Sequence, residues 1–356
     1  MINVTKPYLP PLELYTNYME AIWERRWLTN NGPLVQELEE KLKNYLGVKH
    51  LLFVTNGTIA LQIAIKALAV VGDIITTPFS YVATTNTILW EGCKPVFADI
   101  KNTDFNIDPE KIEALINKDT VAILATHVYG NPCDTDAIEK IAARYNLKVI
   151  YDGAHAFDAK YKGRQILSYG DIATCSFHAT KIFHTVEGGA IITNNDELAE
   201  KMILYRQFGH IGDEHFSIGI NGKNSEIHAA MGLCLLPMMD KFISRRKELA
   251  DCYNRELKDL HIQWPVALPE SEYNYSYYPI IIDTEEKLKG IKTLLQENDI
   301  NTRRYFYPSL NYLPQFKGEP CPVSEAASVR ALALPLYYEL TEAEVQKICR
   351  LIKTCF

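Results

Sequence analysis

Val149-Ile150-Tyr151-Asp152-Gly153-Ala154-His155 is the stretch on which the architecture turns. A short apolar run, too brief for a helix, ends in an acid and a glycine turn, which is the pattern of a buried strand. Open α/β sheets collect their ligands at the carboxyl ends of such strands. Working outward, similar runs are expected at Leu51–Val54, Asp73–Thr77, Pro95–Asp99, Val121–Thr126, Ile172–Phe177 and Ala190–Thr193. Helical spacing falls between several of them, at Thr58–Ala69, Pro109–Asn117 and Thr135–Tyr145, and precedes them at Leu12–Trp27 and Pro33–Leu46. Strands alternating with helices imply a mostly parallel sheet covered on both faces. Beyond about Gly232 the pattern changes. A long helical region from Leu233 to about Leu260 leads to a Pro- and Tyr-rich stretch, Trp264–Pro279, and then to a smaller strand–helix set ending in helix Glu342–Lys353. The expected division is a large domain over 1–235 and a small C-terminal α/β domain over 236–356.

The chain has 356 residues, long enough for two cores, with 37 basic and 44 acidic side chains. That mild negative balance argues against nucleic acid or an acidic membrane as partner, since either calls for a basic surface. Eight scattered cysteines form no CxxC pair and no zinc-type spacing with histidine, so no metal is expected and the thiols read as reduced. Residues 1–30 lack signal-peptide features and no apolar run approaches bilayer length, so a cytoplasmic protein is expected.

Four strand ends carry candidate chemistry. Alone, Asp152 reads as a helix cap. It also suits a carboxylate held against a ring nitrogen, as pyridoxal phosphate needs to act as an electron sink. Cys175-Ser176-Phe177-His178-Ala179-Thr180-Lys181 places a lysine just past a strand and before the glycine pair Gly188-Gly189. Desolvated there, its amine would have a lowered pKa and could form an imine, and Ser176 could offer its hydroxyl to a phosphate. In Val54-Thr55-Asn56-Gly57-Thr58-Ile59-Ala60, a strand passes through a glycine turn into a helix whose N–H groups suit a phosphate. The P-loop lysine and the three glycines of a dinucleotide fingerprint are both missing, which counts against ATP and NAD. In Pro78-Phe79-Ser80-Tyr81-Val82-Ala83-Thr84, Tyr81 follows a proline turn, where its ring could cover a flat cofactor. Each piece has an ordinary structural reading, but four together point to one phosphate-bearing pyridine site.

These motifs, in this order and spacing, resemble the DegT-type sugar aminotransferases, a branch of the fold-type I aspartate aminotransferase superfamily. The resemblance runs from Trp27-Leu-Thr-Asn-Asn-Gly-Pro33 to Leu334-Pro-Leu-Tyr337. It implies an aspartate aminotransferase-like α/β fold and pyridoxal 5'-phosphate, passing through pyridoxamine phosphate. It further implies Lys181 as the Schiff-base lysine and catalytic base, and Asp152 at the pyridine nitrogen. His155 would lie beside the cofactor hydroxyl, Tyr81 on the ring, and Gly57, Thr58 and Ser176 at the phosphate. Gly219-Ile-Asn221-Gly-Lys223-Asn-Ser-Glu226 resembles the segment whose Asn reaches the phosphate of the neighbouring subunit, implying a homodimer with shared sites. Val186 departs from the family, which usually has glycine there.

The wording of Thr76–Thr84, Thr126–Pro132 and Ser176–Lys181 is similar to branches acting on nucleotide-linked 4-keto-6-deoxy sugars, with L-glutamate as amino donor. Lys223, Arg303, Arg304, Tyr305 and Tyr307 are candidates for contact with that sugar nucleotide. A 3-keto sugar aminotransferase and a cofactor-binding regulatory protein without turnover are the alternatives.

Overall fold

The computed structural model describes residues 1–356. Helices α1 (Leu12–Arg25) and α2 (Pro33–Leu46) precede strand β1 (His50–Val54). Helix α3 (Gly57–Ala67), β2 (Asp73–Thr76), α4 (Val82–Trp90), β3 (Lys94–Phe97), β4 (Thr120–Thr126) and β5 (Lys148–Asp152) follow. With strands Ile172–Ser176 and Gly189–Thr193 they build a seven-stranded sheet, ordered β1, Gly189–Thr193, Ile172–Ser176, β5, β4, β2, β3. Only Gly189–Thr193 runs against the others, pairing antiparallel with both neighbours. The carboxyl ends of the other six therefore open on one edge of the sheet.

Alternation sorts the side chains of β5. Val149 and Tyr151 join a core of 44 buried residues on one face, while Ile150 joins a second of 19 that includes α3. Asp152 falls on the same side as Ile150, toward α3. Both faces are covered, as a parallel sheet requires.

A separate core of 22 residues gathers Leu249 to Ile352 and also Ile2, whose backbone bridges to Ile300. Helix Met239–Leu257 serves both cores: Met239 and Phe242 pack into the first, Leu249, Tyr253 and Leu257 into the second. The boundary expected at 235/236 falls just before this shared helix.

The expected helix starting at Leu233 begins instead at Glu226 and is interrupted by a tight turn, Leu236–Met238, around Pro237. Ser225 caps its start by accepting from His228 N, and the wholly buried Glu226 carboxylate accepts from Leu34 N and Val35 N, both at 2.9 Å. An anion belongs there, at the positive end of α2. Glu226–Leu257 is also, against expectation, long enough to cross a membrane and contains an 18-residue window apolar enough to do so, by length and composition alone. In this chain it supplies buried residues to both cores instead. The Tyr-rich stretch holds a second surprise. Tyr278–Ile281 is a strand, paired antiparallel with Ala331–Leu334 even though Pro279 lies inside it. In a two-stranded ladder a proline can face outward, so its missing N–H costs no bond.

Candidate active site

The edge that collects the strand ends brings Gly57, Tyr81, Asp152, His155, Ser176 and Lys181 to one end of the sheet. Asp152 ends β5 and is 5% exposed. Its Oδ2 accepts from Thr84 Oγ1 at 2.7 Å and its Oδ1 from Ala154 N at 3.0 Å. Thr84 Oγ1 also lies 2.9 Å from Ser80 Oγ, which lies 3.0 Å from Thr126 Oγ1. The directions follow from counting protons. A carboxylate only accepts, so Thr84 donates to Asp152, Ser80 donates to Thr84, and Thr126 donates to Ser80. Burial pushes the Asp152 carboxyl upward, while these two donors and the charge of Lys181 pull it back. A carboxylate so placed favours a cation set against its open side.

Lys181 lies in the connection between the antiparallel strands Ile172–Ser176 and Gly189–Thr193, so both ends of its loop are pinned to the sheet. Phe177 N to Gly188 O (2.8 Å) and Thr185 N to Phe177 O (2.9 Å) tighten it further. Lys181 Nζ donates to Tyr277 Oη at 3.4 Å. Burial lowers the lysine's pKa, with Tyr305, Asp152, Cys175 and Tyr81 acting in the opposite sense. The result is an amine readier than an ordinary lysine to be neutral, as a nucleophile or base must be.

His155 is buried, its ring stacked on Phe306 at 5.6 Å and tilted against Tyr277 at 4.7 Å. Burial drives its pKa well below the usual range, so the imidazole is neutral, and its Nδ1 has no hydrogen-bond partner. A buried ring nitrogen without a partner is unusual and suits a polar group bound beside it.

The phosphate candidates also converge. Asn56 caps α3 through Ile59 N at 2.9 Å, leaving the first N–H groups of Gly57 and Thr58 without partners in the helix. A Cβ on Gly57 would stand 3.0 Å from that of Ser176, so the glycine brings helix start and serine hydroxyl side by side. At Gly189 a Cβ would meet the Asn56 carbonyl carbon at 2.6 Å, so only glycine lets that strand pass the turn. An oxyanion between these N–H groups and the Ser176 hydroxyl is thus well served. Tyr81 stands at the start of α4, 55% exposed, free to lie over a ring in the cleft.

The remaining candidates divide. Tyr305 meets Tyr277 edge-on at 5.2 Å, and Arg303 lies 5.2 Å from the ring centre of Tyr305. Arg304 is held in place, bonded to Glu285 Oε1 at 3.0 Å and Val329 O at 3.1 Å, with its guanidinium over Tyr307. Of the two arginines, Arg303 is therefore the freer one. Lys223 donates to the exposed Asn221 at 2.9 Å and lies over Phe208, beside the end of β1. Thr84, Ser80, Thr126, Tyr277 and Phe306 were not anticipated. Thr84 closes the Pro78–Thr84 motif and could have been found as a hydroxyl one turn beyond Tyr81; Tyr277 carried no signal among its neighbouring tyrosines.

Val186, in the same loop, sits at φ +70° while its N–H bonds His184 Nδ1 at 3.3 Å. A β-branched residue is strained in that left-handed region. Val186→Gly is expected to raise stability by about 1 kcal/mol, the strain relieved less the entropy glycine adds to the unfolded chain. Chemical denaturation with an unchanged m-value would measure it, and a loss of stability would contradict the strain.

Residues 13–353 match the model of the DegT/DnrJ/EryC1/StrS aminotransferase family. The chain is 43% identical over 364 aligned positions to the dTDP-4-amino-4,6-dideoxy-D-glucose transaminase of Shigella dysenteriae, covering 99% of this chain and 98% of that one. It is 42% identical to the transaminase of the same name from Escherichia coli, with the same coverage. The crystal structure of DesI with its TDP-sugar product superposes with a TM-score of 0.95 at 30% identity, covering 99% of this chain and 92% of that one. The chain belongs to the DegT/DnrJ/EryC1/StrS aminotransferase family.

Proposed function

We propose that this aminotransferase moves an amino group from L-glutamate to the C-4 ketone of a nucleotide-linked 4-keto-6-deoxy sugar, with dTDP-4-keto-6-deoxyglucose as the favoured acceptor. The observation that carries the transfer chemistry is the convergence of Lys181, Asp152 and the partnerless His155 Nδ1 at one sheet edge. The choice of sugar rests on similarity to the dTDP-sugar transaminases, which also favours C-4 over C-3 amination and turnover over a purely regulatory role.

The residues present fit pyridoxal phosphate. Gly57, Thr58 and Ser176 would hold its phosphate, Asp152 its ring nitrogen, His155 its ring hydroxyl, and Lys181 would tether it through Nζ. When bound, this cofactor supplies an electron sink and carries the amino group between the two substrates. The chain's own part is to place charge and protons. Asp152, steadied by Thr84 and Ala154 N–H, keeps a positive ring nitrogen opposite it. The Lys181 amine, once released, takes the proton from the donor's α-carbon and hands it on. His155 is neutral and can exchange a hydrogen bond without adding charge. Tyr81 covers the cleft and excludes water from one side.

A homodimer is part of the same proposal. Leu12, Trp23, Phe216 and Ile218 are apolar yet 78%, 66%, 58% and 82% exposed, side chains that a neighbouring subunit would cover. Segment 208–221 would carry Asn221 to the neighbouring subunit's phosphate site. A cytoplasmic setting agrees with eight free cysteines, seven of them buried.

The test is mass spectrometry of the cofactor-loaded protein given L-glutamate and dTDP-4-keto-6-deoxyglucose. An amine in place of the ketone is the expected product. Stoichiometric 2-oxoglutarate without that product would overturn the choice of sugar, and neither product would overturn the transfer itself.

A further inference from the structure

We propose that Tyr277 is the positioning residue for Lys181: its hydroxyl holds the lysine's amine at the reaction centre whenever that amine is free. This rests on the amino-transfer reading above and adds a residue that reading does not use. Three observations carry it. First, Tyr277 Oη is the one side-chain hydrogen-bond partner of Lys181 Nζ, at 3.4 Å, and the ammonium also lies 5.7 Å from the centre of the ring. Second, Asp152, the charged competitor for the amine, forms no ion pair with it, and its oxygens are held by Thr84 and Ala154 N–H. Third, Tyr277 cannot drift. It is 4% exposed, its ring is boxed by His155, Tyr129 and Tyr305, and its carbonyl oxygen lies 3.5 Å from the Tyr273 hydroxyl.

A flexible lysine on four methylenes has to be caught each time it is displaced, or its amine is lost to other rotamers. An N–H donated to Tyr277 restrains the amine's position and leaves its lone pair unengaged. Tyr277 directly precedes strand Tyr278–Ile281 and packs in one cluster with Phe79, Tyr129 and Phe306, so the contact ties the amine to a buried aromatic group drawn from distant parts of the chain. The groups facing the amine are Tyr277, Tyr305, Tyr81, Asp152, Cys175 and His155.

Tyr277→Phe removes only the hydroxyl and keeps the ring contacts. Two measurements test it. In full-length protein stripped of cofactor, competitive labelling with acetic anhydride followed by mass spectrometry gives the titration of Lys181. In protein reloaded with pyridoxal phosphate, rapid mixing with glutamate gives the single-turnover rate. An amine is labelled only when neutral, so labelling rises with pH through a midpoint that lies below an ordinary lysine's in the parent. Removing an oxygen that accepts from the ammonium favours the neutral form, so the midpoint is expected to fall further, by about 0.5–1 unit. The glutamate rate is expected to fall roughly 10–100-fold with cofactor affinity unchanged. A slower rate with an unmoved midpoint would make Tyr277 a packing wall and overturn the proposal, as would an unchanged rate. If the parent itself fails to release 2-oxoglutarate, the amino-transfer reading fails, while the labelling result still decides the pairing.

Discussion

Lys181→Ala is expected to lose turnover by at least about 10³-fold while folding normally and binding pyridoxal phosphate reversibly. The phosphate cradle of Gly57, Thr58 and Ser176, the Asp152 carboxylate and the His155 ring all lie outside the deleted side chain, so most of the binding contacts survive. What disappears is the one amine at the cleft's centre. No neighbour can replace it, because the Lys223 amine is engaged by Asn221 and the buried Arg246 guanidinium by the carbonyls of Tyr275 and Ser276. Release of 2-oxoglutarate from glutamate, followed in single turnover, measures the loss. A variant retaining a tenth of the parent rate would remove Lys181 from its role. Partial rescue by added methylamine would strengthen the reading, since a small free base can enter the space left behind.

Asp152→Asn should slow transfer roughly 10²–10³-fold with cofactor affinity changed less than about tenfold. The carboxylate's task is to hold a positive ring nitrogen, and a neutral amide cannot. Its neighbours also lose their order. Donation from Thr126 through Ser80 and Thr84 ends on an acceptor-only group, and an amide nitrogen turned toward Thr84 would reverse the whole chain of hydroxyls. Stability should move the other way. Burial already pushes this carboxyl upward, so a neutral side chain of the same shape removes a desolvation cost, and the melting temperature is expected to hold or rise. Slow transfer in a variant at least as stable as its parent would separate a catalytic defect from a folding one. Near-normal rates would take Asp152 out of the mechanism.

Much of this site was legible along the chain because its parts are local. Each strand of the large sheet is a compact apolar run, and each candidate lies within a few residues of a strand end, so Asp152, His155, Ser176 and Lys181 could be read from their own neighbourhoods. The parts that escaped are long-range. Thr84 reaches Asp152 across 68 positions of sequence, and Tyr277 reaches Lys181 across 96. Nothing near either residue signals the contact, since it exists only once β5 lies beside its neighbours and the residues before strand Tyr278–Ile281 pack against the end of the sheet. Tyr278–Ile281 was hidden for a different reason: Pro279 breaks the usual pattern of a strand, and only its outward place in a two-stranded ladder makes it tolerable. Arg304 shows the converse. A cation near a cluster of tyrosines suits a sugar nucleotide on paper, yet Glu285 already neutralises it.

The helix Met239–Leu257 has a mechanical meaning beyond its place in two cores. Its beginning is embedded in one body and its end in the other, so neither can rotate as a loosely tethered unit. Any relative movement must flex a continuous rod or shear one set of side chains past its packing. Relative displacement of the two cores is then expected to be stiff and short. The same rod makes melting a shared event: once either body loosens its end of the helix, the other loses apolar cover along the next few turns.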